Sequence, residues 1–407
     1  MEALKMQGTL ASPPAHVDPA RVVDWDYVAD RRLAHDPYAL FEQWIEEAPA
    51  DIVWTGANGG HWMLMRGEAI LDALQTPELF SSRHTSIPPR FGATKLIPEE
   101  LDPPEHTKYR SILNKRLGPK MMKFFDGRTR KLANELIDAV QDKGEADLMQ
   151  ALTIPMPCGL FLEMVGLPSS RVDEFVTWKD ELMLGTPEEM AGANAKINGL
   201  LAQTIADKRI NPGENDLMSF LIHDARIDDQ PIGQDDLMSY GFLFFIAGLD
   251  TVTSLMTSCF RFVAENPDKR DELIADPRLI PDFIEEILRR YGVVNMVRTA
   301  TRDFEWRGIT VKESEQFVCS SVIADLDRRE FPNPMTVDFT REENRHVGFG
   351  GGPHRCVGSH LARTELIATM QEVLPRLRNL RMKPGADLKY YHGGLIGLSE
   401  LPVVWDV

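Results

Sequence analysis

The chain has 407 residues, 43% of them apolar and 26% charged, and a formal net charge of −17. This is a globular composition with room for one large or two ordinary domains, and its acidity excludes the dense basic surface that non-specific nucleic-acid binding requires. Four cysteines, Cys158, Cys259, Cys319 and Cys356, stand far apart with no C-x-x-C and no H-E-x-x-H. That excludes a zinc ribbon or a disulfide framework and makes reduced cytoplasmic thiols the expectation.

The first fifty residues are polar, contain proline and lack the basic start and apolar run of a signal peptide. Short β-like runs follow, Asp51-Ile52-Val53-Trp54 and His61-Trp62-Met63-Leu64-Met65, joined by the turn Asn58-Gly59-Gly60. Residues 84–104 are rich in Pro and Gly and read as an irregular loop. Beyond Glu105 the pattern is helical almost throughout. The longest helix is expected from about Asp235 to Glu265, stopped by Asn266-Pro267, and its apolar residues lie on nearly all sides, which predicts burial. Its most apolar segment, Phe242 to Ala247, is far short of the ~20 residues of a membrane helix, so no membrane partner is expected. Pro332, Pro334 and Pro353 mark an irregular stretch, and 386–407 reads as strands and turns. No repeat, low-complexity tract or long linker divides the chain. The expectation is one domain over 1–407, mainly α with a small β-rich part at about 50–66, 293–323 and 386–407.

Three groups of residues carry chemistry. In Phe349-Gly350-Gly351-Gly352-Pro353-His354-Arg355-Cys356-Val357-Gly358 a lone cysteine sits in a glycine-rich turn, with a helical sequence starting at Ser359. Glycines let the backbone approach a flat ligand. Backbone N–H groups and a helix start favour a thiolate, and a thiolate on haem iron favours O–O cleavage. In the middle of the long helix, Ala247-Gly248-Leu249-Asp250-Thr251-Val252 places a glycine and an acid where both are unfavourable, as functional sites often do. Glu286 and Arg289 stand at i, i+3, a spacing that by itself is ordinary helix-surface pairing.

Together these residues resemble the cytochrome P-450 superfamily, and the resemblance covers nearly the whole chain. It implies a triangular helical prism around haem with a long central helix, and haem b held by Cys356 with Phe349 and Gly358 shaping its loop. It implies an oxygen groove in which Gly248 permits a local widening, Thr251 hydrogen-bonds the iron-bound oxygen and Asp250 relays protons. Glu286 and Arg289 would be a buried structural brace, and His106, Arg110, Arg298 and His354 would hold the propionates.

Asp51-Ile52-Val53-Trp54, Phe80-Ser81-Ser82, Asp102-Pro103-Pro104-Glu105 and Leu401-Pro402-Val403-Val404-Trp405-Asp406 are similar to the bacterial camphor 5-monooxygenase branch. That branch implies a monooxygenase fed by a [2Fe-2S] ferredoxin and an NADH-dependent ferredoxin reductase; the sequence does not show the oligomeric state, and a monomer is the default. The chain has no G-x-G-x-x-G or G-x-x-x-x-G-K of its own. It departs from the branch in the loop Ser86–Ile97, which lacks the tyrosine that binds the camphor ketone, and in Met296 and Val297, which replace an acid before Arg298. Camphor is therefore not expected as the preferred substrate. The expected pocket is apolar, walled by Ser86, Thr94, Leu96, Leu243, Ile246, Ala247, Val293, Val294, Met296, Leu395 and Ile396, and suits a terpenoid or norisoprenoid of ten to fifteen carbons. Rival readings are a haem-thiolate sensor without turnover and a peroxide-driven fatty-acid hydroxylase. Against the first stand Asp250 and Thr251. Against the second, that pair is present and the arginine such enzymes carry near it is not.

Overall fold

The computed structural model describes residues 10–89 and 95–407. Helices dominate. In chain order they are α1 (Pro37–Glu47), α2 (Gly67–Gln75), α3 (Glu105–Arg116), α4 (Pro119–Asp138), α5 (Pro155–Val165), α6 (Val172–Leu184) and α7 (Pro187–Ile210). Then follow α8 (Leu217–His223), α9 (Gln234–Glu265), α10 (Pro267–Ala275), α11 (Ile280–Arg290), α12 (Ser321–Leu326) and α13 (Ser359–Val373). Their ends follow local chemistry. Thr186 caps α7 in a reciprocal box with Glu189, and Pro187 takes the first turn. α9 begins behind Gly233 with Asp235 and Asp236 in its first turn, favourable to the helix dipole, and ends at Asn266 because Pro267 cannot continue it.

The main sheet has six strands in the spatial order Val22–Val23, Ile52–Thr55, His61–Leu64, Gln316–Ser320, Asn295–Ala300, Phe80–Ser81. Ile52–Thr55 and His61–Leu64 pair antiparallel, Trp54 opposite Trp62, and Gln316–Ser320 pairs antiparallel with Asn295–Ala300, Phe317 opposite Arg298. A smaller sheet joins Arg378–Met382, Pro402–Asp406 and Glu145–Asp147. The strands at 52–64, 295–320 and 390–406 lie within the expected β-rich regions. Phe80–Ser81 and Glu145–Asp147 lie outside them because two or three residues carry no readable alternation, and Arg378–Met382 because its Arg-Asn-Leu-Arg-Met has no β-branched residue.

α9 is long and apolar enough to cross a membrane, more than its apolar run Phe242 to Ala247 indicates, yet its most apolar stretch is largely buried among the protein's own helices. It threads two apolar clusters. Leu237 to Leu249 pack into the smaller one, with parts of α5, α6, α7 and α8; Val252 onward pack into the larger one, with α11, α13 and the main sheet. The seam between the clusters falls at Asp250 and Thr251. α13 packs on α4, α11 and α9, so the loop before it is held against the centre of the molecule.

Candidate active site

The cysteine turn is built by its own backbone. Gly350 N–H donates to Val347 O at 2.7 Å, Cys356 N–H to Phe349 O at 2.9 Å, and Arg355 N–H to Gly352 O at 3.2 Å. Gly352 has φ +63°, and a Cβ there would stand 2.2 Å from Leu74 O of α2, so only glycine lets the turn lie this close to that helix. Cys158, Cys259 and Cys319 are buried, whereas Cys356 has exposed surface. Burial nonetheless pushes the Cys356 thiol up; Glu99 adds to this, while the Gly358 amide, Arg110 and Arg355 act in the opposite sense. Accessible surface and strong desolvation coincide at a sulfur that faces an interior space walled by protein. A bound cation reverses this preference and holds the thiolate.

Beside this turn a set of donors converges. The rings of His106, on α3, and His354 lie 4.2 Å apart between centroids. Among the described residues neither ring has a hydrogen-bond partner for its buried nitrogens. Leu101's carbonyl raises the His354 pKa slightly without reaching hydrogen-bond geometry. Burial is the main cause that pulls His106 down to about 4 and His354 to about 3, with Arg110 and Arg298 contributing to both. Arg298 donates to Val297 O at 2.8 Å and Arg110 to Asn114 Oδ1 at 3.1 Å and to Arg355 O. Among the described residues neither arginine makes an ion pair. Glu99 is the carboxyl turned toward them; burial raises its pKa, and Arg298 and Arg110 oppose that. Two arginines and two unpartnered imidazoles in one buried cluster are a donor set for anionic oxygens, so the residues present fit a group with two carboxylates above a cysteine.

α9 passes through buried surroundings, yet Ala247 is exposed and Leu243, Ile246, Gly248 and Thr251 are partly so. Leu243, Ala247 and Thr251 are four residues apart and form one stripe. Thr251 Oγ1 donates to Ala247 O at 3.1 Å, and the buried Asp250 pairs with Lys179 of α6 at 2.8 Å. Burial lowers the Lys179 pKa, but Asp250 and Asp180 outweigh it and hold the ammonium above its ordinary value. α9 runs as one helix from Gln234 to Glu265 through Gly248, and a Cβ there would come 3.2 Å from the Phe161 ring of α5, a tight contact that the glycine avoids.

Glu286 and Arg289 are 1% and 0% exposed. Arg289 donates from Nε and Nη2 to the two Glu286 oxygens at 2.8 and 3.0 Å, and to the carbonyls of Asp325, Pro334 and Thr336. Glu286 also accepts from Asp338 N, Arg341 and Asn344, so the pair ties the irregular stretch after α12 to α11. Phe349 is nearly buried beneath the Arg363 guanidinium, 4.5 Å above its ring, and Gly358 leads into α13.

The expected pocket walls divide. Val294, Met296 and Leu395 keep accessible surface, Val294 bridges Leu395, and Met296 reaches the cysteine turn, its sulfur 3.2 Å from where a Gly350 Cβ would be. Val293 at 3%, Ile396 at 0% and Leu96 at 4% exposure are packed into the core and present little surface to a ligand. Their apolar character looks identical in sequence whether it packs protein or ligand. Ser86 turns its hydroxyl onto Pro88 O within its own loop, and Thr94 lies outside the described residues. Sequence reading missed Lys179, Glu99 and Asp325, whose carboxylate accepts from Val347 N–H at 2.7 Å. Each meets the site only through tertiary packing.

A family model described as cytochrome P450 matches residues 164–404. The chain is 30% identical over 416 residues to a probable cytochrome P450 127A1 of Sinorhizobium fredii, covering 100% of both. It is 31% identical over 349 residues to a steroid C26-monooxygenase of Mycobacterium tuberculosis, covering 83% of this chain and 93% of that one. Crystal structures of CYP101J2 and CYP101C1 superpose with TM-scores of 0.90 and 0.89 at 28% and 26% identity, covering 98% and 97% of this chain and 100% of each of theirs. These neighbours support the camphor 5-monooxygenase-like branch.

Proposed function

The chain belongs to the cytochrome P450 family, with its fold, its haem b on a cysteine thiolate and its monooxygenase activity, and from that premise we propose which residues carry the reaction and what it acts on. Cys356 is the thiolate ligand, and His106, Arg110, Arg298 and His354 hold the two propionates. When bound, the haem supplies oxygen activation, with the thiolate pushing electron density onto the iron.

The chain's own residues do the rest. Asp250 takes protons from the Lys179 side of α9 and moves them inward, and the Thr251 hydroxyl donates at the reacting centre. Leu243, Ala247, Val294, Met296 and Leu395 exclude water and orient an apolar substrate. That substrate is a terpenoid or norisoprenoid, hydroxylated with electrons from a [2Fe-2S] ferredoxin and its NADH-dependent reductase. The protein acts in the cytoplasm as a monomer over one domain. Relatives include a steroid C26-monooxygenase and a mycinamicin IV hydroxylase/epoxidase, so family membership alone does not choose the substrate.

The observation that carries this reading is the accessible stripe Leu243, Ala247, Thr251 in the middle of a largely buried helix. The test is a spectral titration of the ferric protein with camphor, β-ionone and α-terpineol. β-Ionone or α-terpineol should raise the iron's spin state at lower concentration than camphor. Tight camphor binding, or no response to any of the three, overturns the substrate class.

A further inference from the structure

The Tyr391 hydroxyl and Ser254 Oγ of α9 lie 2.8 Å apart, joined across 137 residues of sequence. Tyr391 sits on the short strand Tyr390–Tyr391, opposite Gly397 in Gly397–Leu398. A Cβ on Gly397 would stand 2.2 Å from the Tyr391 hydroxyl and 2.4 Å from Ser254 Oγ. Gly397 is not in the left-handed region, so no backbone requirement explains it; the glycine makes room for the hydroxyl pair. Ser254 follows Asp250 by four residues and is its neighbour on the helix face. The Asp250 charge reaches Tyr391, as do Lys179 and Asp180 of α6. One Asp250 oxygen is bonded to Lys179, and among the described residues the other has no hydrogen-bond partner.

We propose that Tyr391 is a positioning residue for Asp250: through Ser254 it supplies an interior donor to which the carboxyl turns when it leaves Lys179. This deepens the proton-relay reading of Asp250 and rests on it. The carboxylate accepts a proton from water on the Lys179 side, turns inward and releases that proton toward Thr251. Ser254 O–H donates to the unprotonated oxygen, and Tyr391 O–H donates to Ser254, so both hydroxyls keep their protons. A hydroxyl pair that merely fastened the 390–398 hairpin to α9 would affect stability and leave proton supply alone.

The test compares wild type with Tyr391→Phe, Ser254→Ala and Asp250→Asn as haem-loaded proteins. One readout is the Asp250 carboxyl signal in aspartate-¹³C-labelled protein, identified by its absence from Asp250→Asn. Loss of the interior donor should displace that signal in Tyr391→Phe, because the turned carboxyl no longer meets a fixed hydroxyl. The other is peroxide released per NADH oxidised, with a surrogate [2Fe-2S] ferredoxin system and β-ionone. It should rise at least about twofold, with a larger solvent deuterium effect, neither of which a loss of stability alone would produce. Ser254→Ala should move both the same way, and it carries the test if Tyr391→Phe folds poorly. If both readouts stay at wild-type values while Asp250→Asn uncouples, the role of Tyr391 is overturned alone. If Asp250→Asn also leaves coupling intact, the relay reading falls and this inference falls with it.

Discussion

Glu286→Gln is the substitution that best separates a brace from ordinary helix pairing. Glu286 Oε1 accepts from Arg289 Nε at 2.8 Å, Arg341 Nε at 3.0 Å and Asn344 Nδ2 at 3.1 Å. Oε2 accepts from Arg289 Nη2 at 3.0 Å and from Asp338 N at 2.8 Å. A glutamine keeps the shape but turns one oxygen into a donor. With its NH₂ at Oε2 it strands two donors, and turned over it strands three. Each stranded buried donor costs about 1–3 kcal/mol, so the variant should lose about 2–6 kcal/mol even in its better orientation. That is a large share of the roughly 5–15 kcal/mol that holds a protein folded. Because Asp338, Arg341 and Asn344 lie on the stretch leading to the cysteine turn, haem content should fall with stability. The assay is urea unfolding followed by far-ultraviolet dichroism and by haem absorbance. Glu272→Gln is the control, since Glu272 is exposed and pairs with the surface Lys269. A Glu286→Gln midpoint equal to wild type would refute the reasoning.

Cys356→Ser should abolish the thiolate-type carbon monoxide difference spectrum of the reduced protein, whereas Cys158→Ser, Cys259→Ser and Cys319→Ser should keep it. Gly352→Ala should lose haem content because its Cβ would meet Leu74 O, while Gly385→Ala, at φ +82° with nothing within 4 Å, should cost only about 1 kcal/mol of backbone strain by urea unfolding. Ala247→Phe should weaken the β-ionone spin response at least about tenfold by filling the stripe, with the carbon monoxide spectrum unchanged. Glu285 is held at about 2: burial raises it, but Arg363 and His346 pull it down further. A depressed carboxylate stabilises the fold above its ordinary range, and that contribution disappears as pH falls through the folded value. Wild type should therefore lose stability between about pH 4.5 and 2, and Glu285→Gln should lose less over the same span, read by thermal unfolding at each pH.

What the sequence disclosed was whatever local rules control. α9 was readable from its apolar surround and its Asn266-Pro267 stop, and the cysteine turn from glycines whose backbone duty is local. The short strand Phe80–Ser81 was not readable, because two residues become a strand only when Ala300 and Thr299 are there to pair with them. Gly248 shows the limit most clearly. A glycine beside an acid in a buried helix reads the same whatever lies next to it, and only the position of α5 brings the Phe161 ring there. Lys179 and Tyr391 lie 71 and 141 residues from Asp250, and no periodicity in the chain connects them. Ile396 and Val293 are buried in the core, a fact that their apolar character in sequence does not disclose.

One stiff rod shared by two oily masses has a mechanical consequence. The smaller mass, with α6 and α7, grips the first half of α9 and the larger one grips the second, while Val357, beside the sulfur's own residue, packs against the smaller mass. A shift of the first half is therefore passed to the sulfur's immediate neighbour, and guest exchange and redox tuning should change together.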